Sequence, residues 1–505
     1  MKWSSVALGA GLLGATSVAA ANKGLPVDKV YGVNLGSCDL VKKLGQTQAD
    51  KVFKEHWSTW FTQEDVDAIA AAGLNTVRIP LGYWIIEDLV DRNTEFYPQG
   101  GLEYLKHGLR MLKQKGIHVL LDFHAMPGVA AVNQMFAGRC TADVQFYTER
   151  NYERALTWAA IMTNMTYQDP DFSTVFAIEA VNEPVMDASK TPGYGDYQKR
   201  FVKVVREVEN RLGVQCSSDD PIKTIPNLVS PNANADADDQ VIKRVLEKSS
   251  NIMENMTARR KPGSSYPSSG IKLPITLGQA ELEAIRQGHG AGRLPMPMSA
   301  SGAAAFTHSK QAGHAARMSG LERHSAPRRN HRKRGISATL AKDANRGCLM
   351  TAFMNKDWQY NNPPNPAEAA NGPQFYDAHL YFSFGGVADP NADSYMRTIC
   401  NTDRVQKAYA DNNNPLVFGE WSLATNFDNT EEFLYDWADA QRHIYAGQAD
   451  GWIFWSWKIE QTSPYLTQWS YREGLKRGYF KKDPSQLTNP NVCAAWIAKN
   501  NSTSS

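Results

Sequence analysis

Along the chain, short runs rich in apolar and β-branched residues alternate with longer stretches in which apolar residues recur every three or four positions. KVYGVNL, NTVRIPLGYW, IHVLLDFH and VFAIEAVNEP read as buried strands. The stretches TQEDVDAIAAAG, GLEYLKHGLRMLKQKG and RNYERALTWAAIM, which lie between them, read as helices. Thr62 is placed to cap the first of these, with Asp65 three residues on, and Gly73 and Gly116 stand where the first and second helices should stop. After a further helix, YQKRFVKVVREVENRLG, the pattern lapses. It resumes with LMTAFM, FYDAHLYF and NPLVFGEWS, a helix around TEEFLYDWADAQRHIY, and GWIFWSWK. Eight strands with interleaved helices predict an α/β fold, a (β/α)8 TIM barrel.

The lapse divides the chain. Residues 22–215 and 349–505 carry the barrel pattern, whereas 216–348 hold only two aromatics, Tyr266 and Phe306, and none of the 13 Trp. This stretch has 20 Lys and Arg against 11 Asp and Glu, out of 54 and 52 in the chain, so 34 basic and 41 acidic residues remain elsewhere. So few aromatics build no ordinary core, and a connection from helix four to strand five needs only about 2–6 residues. The expectation is a disordered insertion, foreign to the barrel and lying on the face opposite the chemistry. Its run SAPRRNHRKRG lacks interleaved aromatics and reads as a solvated basic segment, not a nucleic-acid site.

Composition adds the compartment. Residues 1–21 combine Lys2, the apolar run VALGAGLL and small residues from Ser17 to Ala21, the pattern of a secretory signal peptide too short to span a bilayer. Sequons at Asn164, Asn255 and Asn501 agree with export. Six cysteines, Cys38, Cys140, Cys216, Cys348, Cys400 and Cys493, are widely spaced without a C-x-x-C pair, which favours disulfides over a zinc site and leaves the connectivity open. A soluble, extracellular monomer with no membrane anchor is expected.

In such a barrel, chemistry collects at the C-terminal ends of the strands. Those positions hold Arg78, His124, Asn182, Glu183, His379, Tyr381, Glu420, Trp455 and Trp457. One strand-end Glu alone more often caps a helix or sits in water. Two of them, with an Arg, two His and an Asn at the same mouth, match what glycoside hydrolysis requires: a carboxyl that protonates the leaving oxygen and a carboxylate that attacks. Arg78 beside Glu420 would keep that carboxylate ionised and aimed. Period-two spacing puts Trp455 and Trp457 on one face of the last strand, one as a barrel-core residue and one as a platform for a sugar's C–H face. Glu179, four residues before Glu183, would support the site from deeper in the barrel. No residue cluster calls for a metal or cofactor.

The motifs GVNLGS, LNTVRIPLGYW, LDFHAMPG, IEAVNEPV, DAHLYF, VFGEWS and GWIFWSWK resemble glycoside hydrolase family 5, in particular its secreted fungal endo-β-1,6-glucanases. EDLV, FYPQGGLEYL, WQYN and WSYREGLKRGYF extend the resemblance over most of 28–215 and 349–490. It implies a retaining mechanism on β-glucan with Glu183 as acid/base and Glu420 as nucleophile. Arg78, His124, Asn182, His379, Tyr381 and a Trp of the last strand would surround the sugar. The chain departs from the family where CDLVKKLGQ follows GVNLGS directly and a longer loop is expected. That leaves two other readings: an exo-β-1,3-glucanase or other family 5 β-glucanase with the same acids, and a wall-glucan-binding protein without turnover.

Overall fold

The computed structural model describes residues 30–33, 41–216, 237–259, 347–361 and 364–501. Eight parallel strands close into a barrel in sequence order: β1 Val30–Val33, β2 Thr76–Gly82, β3 His118–Ala125, β4 Val175–Glu179, β5 Met350–Met354, β6 Gln374–His379, β7 Leu416–Glu420 and β8 Gly451–Phe454. β1 pairs with both β2 and β8, which closes the ring as the sequence pattern predicts.

The helices of the first half are α1 Val41–Leu44, α2 Gln46–Trp60, α3 Gln63–Ala71, α4 Gly101–Gln114, α5 Glu149–Gln168, α6 Tyr194–Arg211 and α7 Ala237–Arg259. Those of the second half are α8 Ala392–Cys400, α9 Arg404–Ala410, α10 Glu431–Gly447, α11 Leu466–Trp469, α12 Tyr471–Arg477 and α13 Ala494–Asn501. The cap at the start of α3 forms as expected: the Asp65 carboxylate accepts from the Thr62 N–H at 3.0 Å, and Gly73 follows the helix with φ +69°. Asp65 also accepts from Trp457 Nε1 at 3.0 Å and Lys458 Nζ at 2.7 Å, which fastens α3 to the segment after β8.

Alternation along the strands separates two apolar layers. Val119, Leu121 and Phe123 of β3 face the helices, while Leu120, Ala177, Met350, Ala352, Phe375, Val417 and Ile453 fill the inside of the barrel. Above this floor, on the same inward rows, the side chains change from apolar to charged: Asp122 follows Leu120, Glu179 follows Ala177 and Asp377 follows Phe375, all fully buried.

The insertion differs from expectation. Residues 237–259 form α7, which packs on α5 and α6 with Val241, Ile242, Val245, Leu246, Ser249 and Ile252 buried. Charged residues of α7 pair with barrel groups, Asp238 with Arg200 at 2.7 Å, Arg244 with Glu153 at 2.5 Å and Arg259 with Asp88 at 2.9 Å. A helix needs only one apolar stripe to dock, and the low aromatic count of the whole segment concealed the aliphatic stripe of this part. A disulfide joins Cys216 to Cys348, with Cα atoms 5.6 Å apart, where α6 ends and β5 begins; a second joins Cys400 to Cys493. The signal-peptide residues, Cys38, the loop after β1 and the remainder of the insertion lie outside the described residues. Among the described residues no helix is long and apolar enough to cross a membrane.

Candidate active site

The charged rows of the barrel converge on Arg78 of β2, whose side chain is fully buried. Its Nη1 lies 2.7 Å from Glu420 Oε1 and 2.9 Å from Asp122 Oδ2, its Nε donates to Glu179 Oε2 at 2.9 Å, and its Nη2 donates to Asn182 Oδ1 at 2.8 Å. One guanidinium therefore orients groups from β3, β4, the turn after β4, and β7. With Oδ1 held by Arg78, the Asn182 amide nitrogen is the group left to meet a ligand.

Glu183 sits just past β4, at φ +40°, a left-handed conformation that a glutamate adopts at a cost. The turn lifts its carboxyl out of the buried rows: its side chain is 16% exposed, against 6% for Glu420. His379 Nδ1 lies 2.7 Å from Glu183 Oε1 and 3.5 Å from Glu420 Oε2, so the imidazole sits between the two acids. One ligand atom from each of Glu183, His379 and Glu420 falls within 4.8 Å of the others. Tyr381 donates its hydroxyl to Glu420 Oε2 at 2.9 Å.

The register explains how Glu420 enters the site. The pairing of β6 with β7 shifts between Asp377 and His379, and Glu420 comes opposite His379. The preceding Gly419 leaves the space that Asp377 occupies; a Cβ there would lie 2.2 Å from both Asp377 carboxylate oxygens, and the Gly419 N–H donates to Oδ1 at 2.7 Å. Asp377 in turn stands beneath His379, 3.4 Å from Nε2.

These contacts set the protonation states. Burial disfavours a charged His379, but Glu420, Asp377 and the bond to Glu183 outweigh it and hold the imidazole well above its ordinary value, as the imidazolium. Burial pushes Glu420 up; His379 and Arg78 pull it back, and a raised value remains. Glu179 is pushed well above the carboxylate range by burial, against the pull of Arg78. Tyr381 is raised by burial and by Glu420, so its hydroxyl keeps the proton it donates.

His124 completes one flank. Its Nδ1 meets Asp122 Oδ2 at 2.5 Å, which leaves Nε2 for a ligand, and its ring stacks on Trp455 with centroids 5.5 Å apart and planes 16° off parallel. Of the nine expected positions, eight gather here. Trp457 does not: it is 1% exposed and its indole donates to Asp65 behind the barrel wall. Strand β8 stops at Phe454, so period-two alternation no longer applies at residue 457. Asp122 and Asp377 are additional. Each lies two residues before a strand-end histidine, and that spacing was the available signal.

A closed parallel barrel with two carboxylates facing each other at its C-terminal mouth, around an arginine and an imidazole, defines an O-glycosyl hydrolase. Comparison with known proteins is specific. Residues 42–218 match the family described as Cellulase (glycosyl hydrolase family 5). The chain is 26% identical over 523 residues to the glucan endo-1,6-beta-glucosidase B of Emericella nidulans, covering 96% of this chain and 93% of that one. It is 34% identical over 171 residues to a probable glucan 1,3-beta-glucosidase A of Aspergillus fumigatus, covering 34% of this chain and 39% of that protein. Among solved structures, the rutinosidase from Aspergillus niger superposes with TM-score 0.51 at 14% identity, over 90% of this chain and 99% of that one, a likeness of fold. The match to glycoside hydrolase family 5 covers residues 42–218, and the chain is an O-glycosyl hydrolase similar over nearly its whole length to a glucan endo-1,6-beta-glucosidase.

Proposed function

We propose that the protein is a secreted, monomeric, retaining endo-β-glucanase acting on β-1,6-glucan. The observation that carries the mechanism is the spacing of the acids, one oxygen of each within 4.8 Å of the other and of His379. Retaining enzymes hold their carboxyls about 5–5.5 Å apart, while inverting enzymes leave about 6.5–9.5 Å for a water.

In the first step a Glu420 oxygen bonds to the anomeric carbon as the glycosidic C–O bond breaks, and Glu183 gives its proton to the departing oxygen. In the second, Glu183 takes a proton from water, the resulting hydroxyl bonds to the anomeric carbon, and Glu420 leaves as carboxylate. Arg78 and Tyr381 bind separate oxygens of Glu420 and fix its orientation for attack. The Asn182 amide, aimed by Arg78, is placed for the sugar 2-OH, a contact that strengthens as positive charge develops on the ring. His124 Nε2 meets a hydroxyl, and Trp455 supplies the apolar face. His379 keeps the Glu183 carboxyl in place through its 2.7 Å bond. The reaction needs no metal, and Arg78 and the His379 imidazolium already supply the positive charge beside Glu420.

The full-length similarity to an endo-1,6-beta-glucosidase supports the linkage. Incubation with β-1,6-glucan, β-1,3-glucan and cellulose tests it: short oligosaccharides are expected from the first. Glucose released alone from β-1,3-glucan would establish the exo-acting alternative, and binding of glucan without any cleavage would establish a wall-binding protein. For the mechanism, Glu420→Gly should abolish turnover, and added azide should partly restore it with an α-glycosyl azide as product. A β-azide would reverse the roles of the two acids.

A further inference from the structure

Asp122-Phe123-His124 on β3 and Asp377-Ala378-His379 on β6 repeat one pattern, an aspartate two places before a strand-end histidine, yet the two aspartates hold their rings by opposite edges. Asp122 meets His124 at Nδ1, at 2.5 Å, and leaves Nε2 for a ligand. Asp377 lies instead at Nε2 of His379, at 3.4 Å, and leaves Nδ1 to meet Glu183 Oε1 at 2.7 Å. The Gly419 N–H claims Asp377 Oδ1 at 2.7 Å, so Oδ2 is the oxygen turned to the ring. Neither Oδ2 nor Nε2 has a hydrogen bond to another group among the described residues; Arg78 Nε lies 3.6 Å from Oδ2 but donates to Glu179. Glu183, His379 and Asp377 thus form a line from the mouth of the barrel down to its charged floor.

We infer that Asp377 is a positioning residue for the acid step, acting through His379: it keeps a proton on both ring nitrogens, so that Glu183 gives up its own proton beside a fixed cation. The assignment rests on the glycosidase mechanism above. A neutral ring with its one proton on Nε2, facing Asp377, would accept from Glu183 at Nδ1 and turn the acid's proton away from the substrate. With both nitrogens protonated, Nδ1 can only donate. Glu183 Oε1 then accepts, and the proton for the departing oxygen sits on Oε2. As that proton passes to the glycosidic oxygen, the new carboxylate charge forms against the imidazolium, and the proton taken from water in the second step returns to Oε2. The groups that face the ring are Glu183 after β4, Glu420 on β7 and Asp377 on β6, with Glu179 of β4 within reach of its charge and Trp358 meeting it edge-on. Burial opposes a charged ring, and Glu420, Asp377 and Glu183 together overcome it. Glu183 and Glu420 each change charge during the reaction. Asp377 exchanges no proton with the substrate and forms no bond to it, so among the acids touching the ring it alone is the same in both steps.

Two measurements test this. Nitrogen-15 NMR of the histidine rings, with His379 identified by the signal lost in His379→Gln, should show both nitrogens protonated in the unaltered enzyme at pH 7 and Nε2 without its proton in Asp377→Asn. Asn keeps the shape, but with its oxygen held by the Gly419 N–H it turns an N–H toward Nε2, where two donors cannot share the gap. The second measurement is kcat/KM on two substrates: the β-glucan oligosaccharide that the unaltered enzyme cuts best, and the 2,4-dinitrophenyl β-glycoside of the same sugar chain, whose leaving group departs without a proton. Asp377→Asn should lower the first about tenfold or more beyond the second, a part of the roughly 10²–10⁴-fold that a general acid supplies. The acid limb of its profile should also move to higher pH, because Glu420, raised by burial, loses the imidazolium that pulls it back. An Nε2 without a proton in the unaltered enzyme, or equal losses on both substrates with the limb unmoved, would overturn the role of Asp377 and leave the glycosidase reading intact; the first of these is decided even where the variant does not fold. An unaltered enzyme inert toward both substrates would overturn the two together.

Discussion

Replacing Arg78 by Met removes the one cation that touches Glu420, Glu179 and Asp122 at 2.7–2.9 Å inside the barrel. Met fills comparable apolar space, so the loss is electrostatic more than steric. Breaking a buried ion pair by deleting one partner costs about 3–5 kcal/mol, because the remaining charge stays buried. The cost here depends on pH. Glu420 and Glu179 already sit above the ordinary carboxylate range, raised by burial and restrained by Arg78, so without the guanidinium both hold protons to still higher pH. The variant's native state then binds more protons than its unfolded state, and its stability falls as pH rises. Urea unfolding of both proteins should therefore show a gap of about 3–5 kcal/mol at pH 7 that narrows toward pH 5. Catalysis should fall by at least about 10²-fold, since Asn182 and Glu420 lose their alignment together. A gap that does not change with pH, or one under about 1 kcal/mol, would refute the view that Arg78 balances the buried acids.

Three other outcomes follow from contacts described above. Asp65 is held below its ordinary value of 3.8 because Lys458, Thr62 and Trp457 outweigh the effect of burial, so its stabilisation is present above that value and lost as pH falls through the lowered one; Asp65→Asn should flatten thermal stability across that acidic window and cost about 1–2 kcal/mol at pH 7. As the proposed nucleophile Glu420 must be ionised, and its value is raised above 4.5, so the acid limb of the kcat/KM profile should lie above pH 4.5, and a limb at pH 4 or lower would contradict the burial argument. Leu246 is 2% exposed on the packed face of α7, and Leu246→Ala should lower unfolding stability by about 2–4 kcal/mol; an unchanged urea midpoint would return α7 to the status of a passenger on the barrel.

The sequence showed most where one side chain's position follows from the strand it ends. Period-two alternation and the turn chemistry of Asn182–Pro184 brought Glu183 to the mouth, and FGEW did so for Glu420. What escaped was of two kinds. Asp122 and Asp377 are buried charges, and a charge inside a strand pattern resembles an interruption until its partner, Arg78, is known to face it. Trp457 was misplaced because alternation was carried three residues past Phe454, where β8 stops and Asp65 instead decides where the indole points. Averaging hid α7, whose 23 residues were diluted in the composition of the 216–348 segment.

The Cys216–Cys348 link gives the barrel an unusual seam. It joins the chain's two halves where α6 hands over to β5, and the chemistry is split across it: Arg78, His124, Asn182 and Glu183 come from the four strands before it, and His379, Tyr381, Glu420 and Trp455 from the four after. The bonds that make the site work, Arg78 to Glu420 and His379 to Glu183, both cross from one half to the other. Neither half holds both Glu183 and Glu420. Catalysis is thus the property of an internal interface between two four-stranded half-barrels, and the disulfide, with Cα atoms 5.6 Å apart, is the covalent stitch that keeps those halves in one molecule even where the peptide chain between its two cysteines is long.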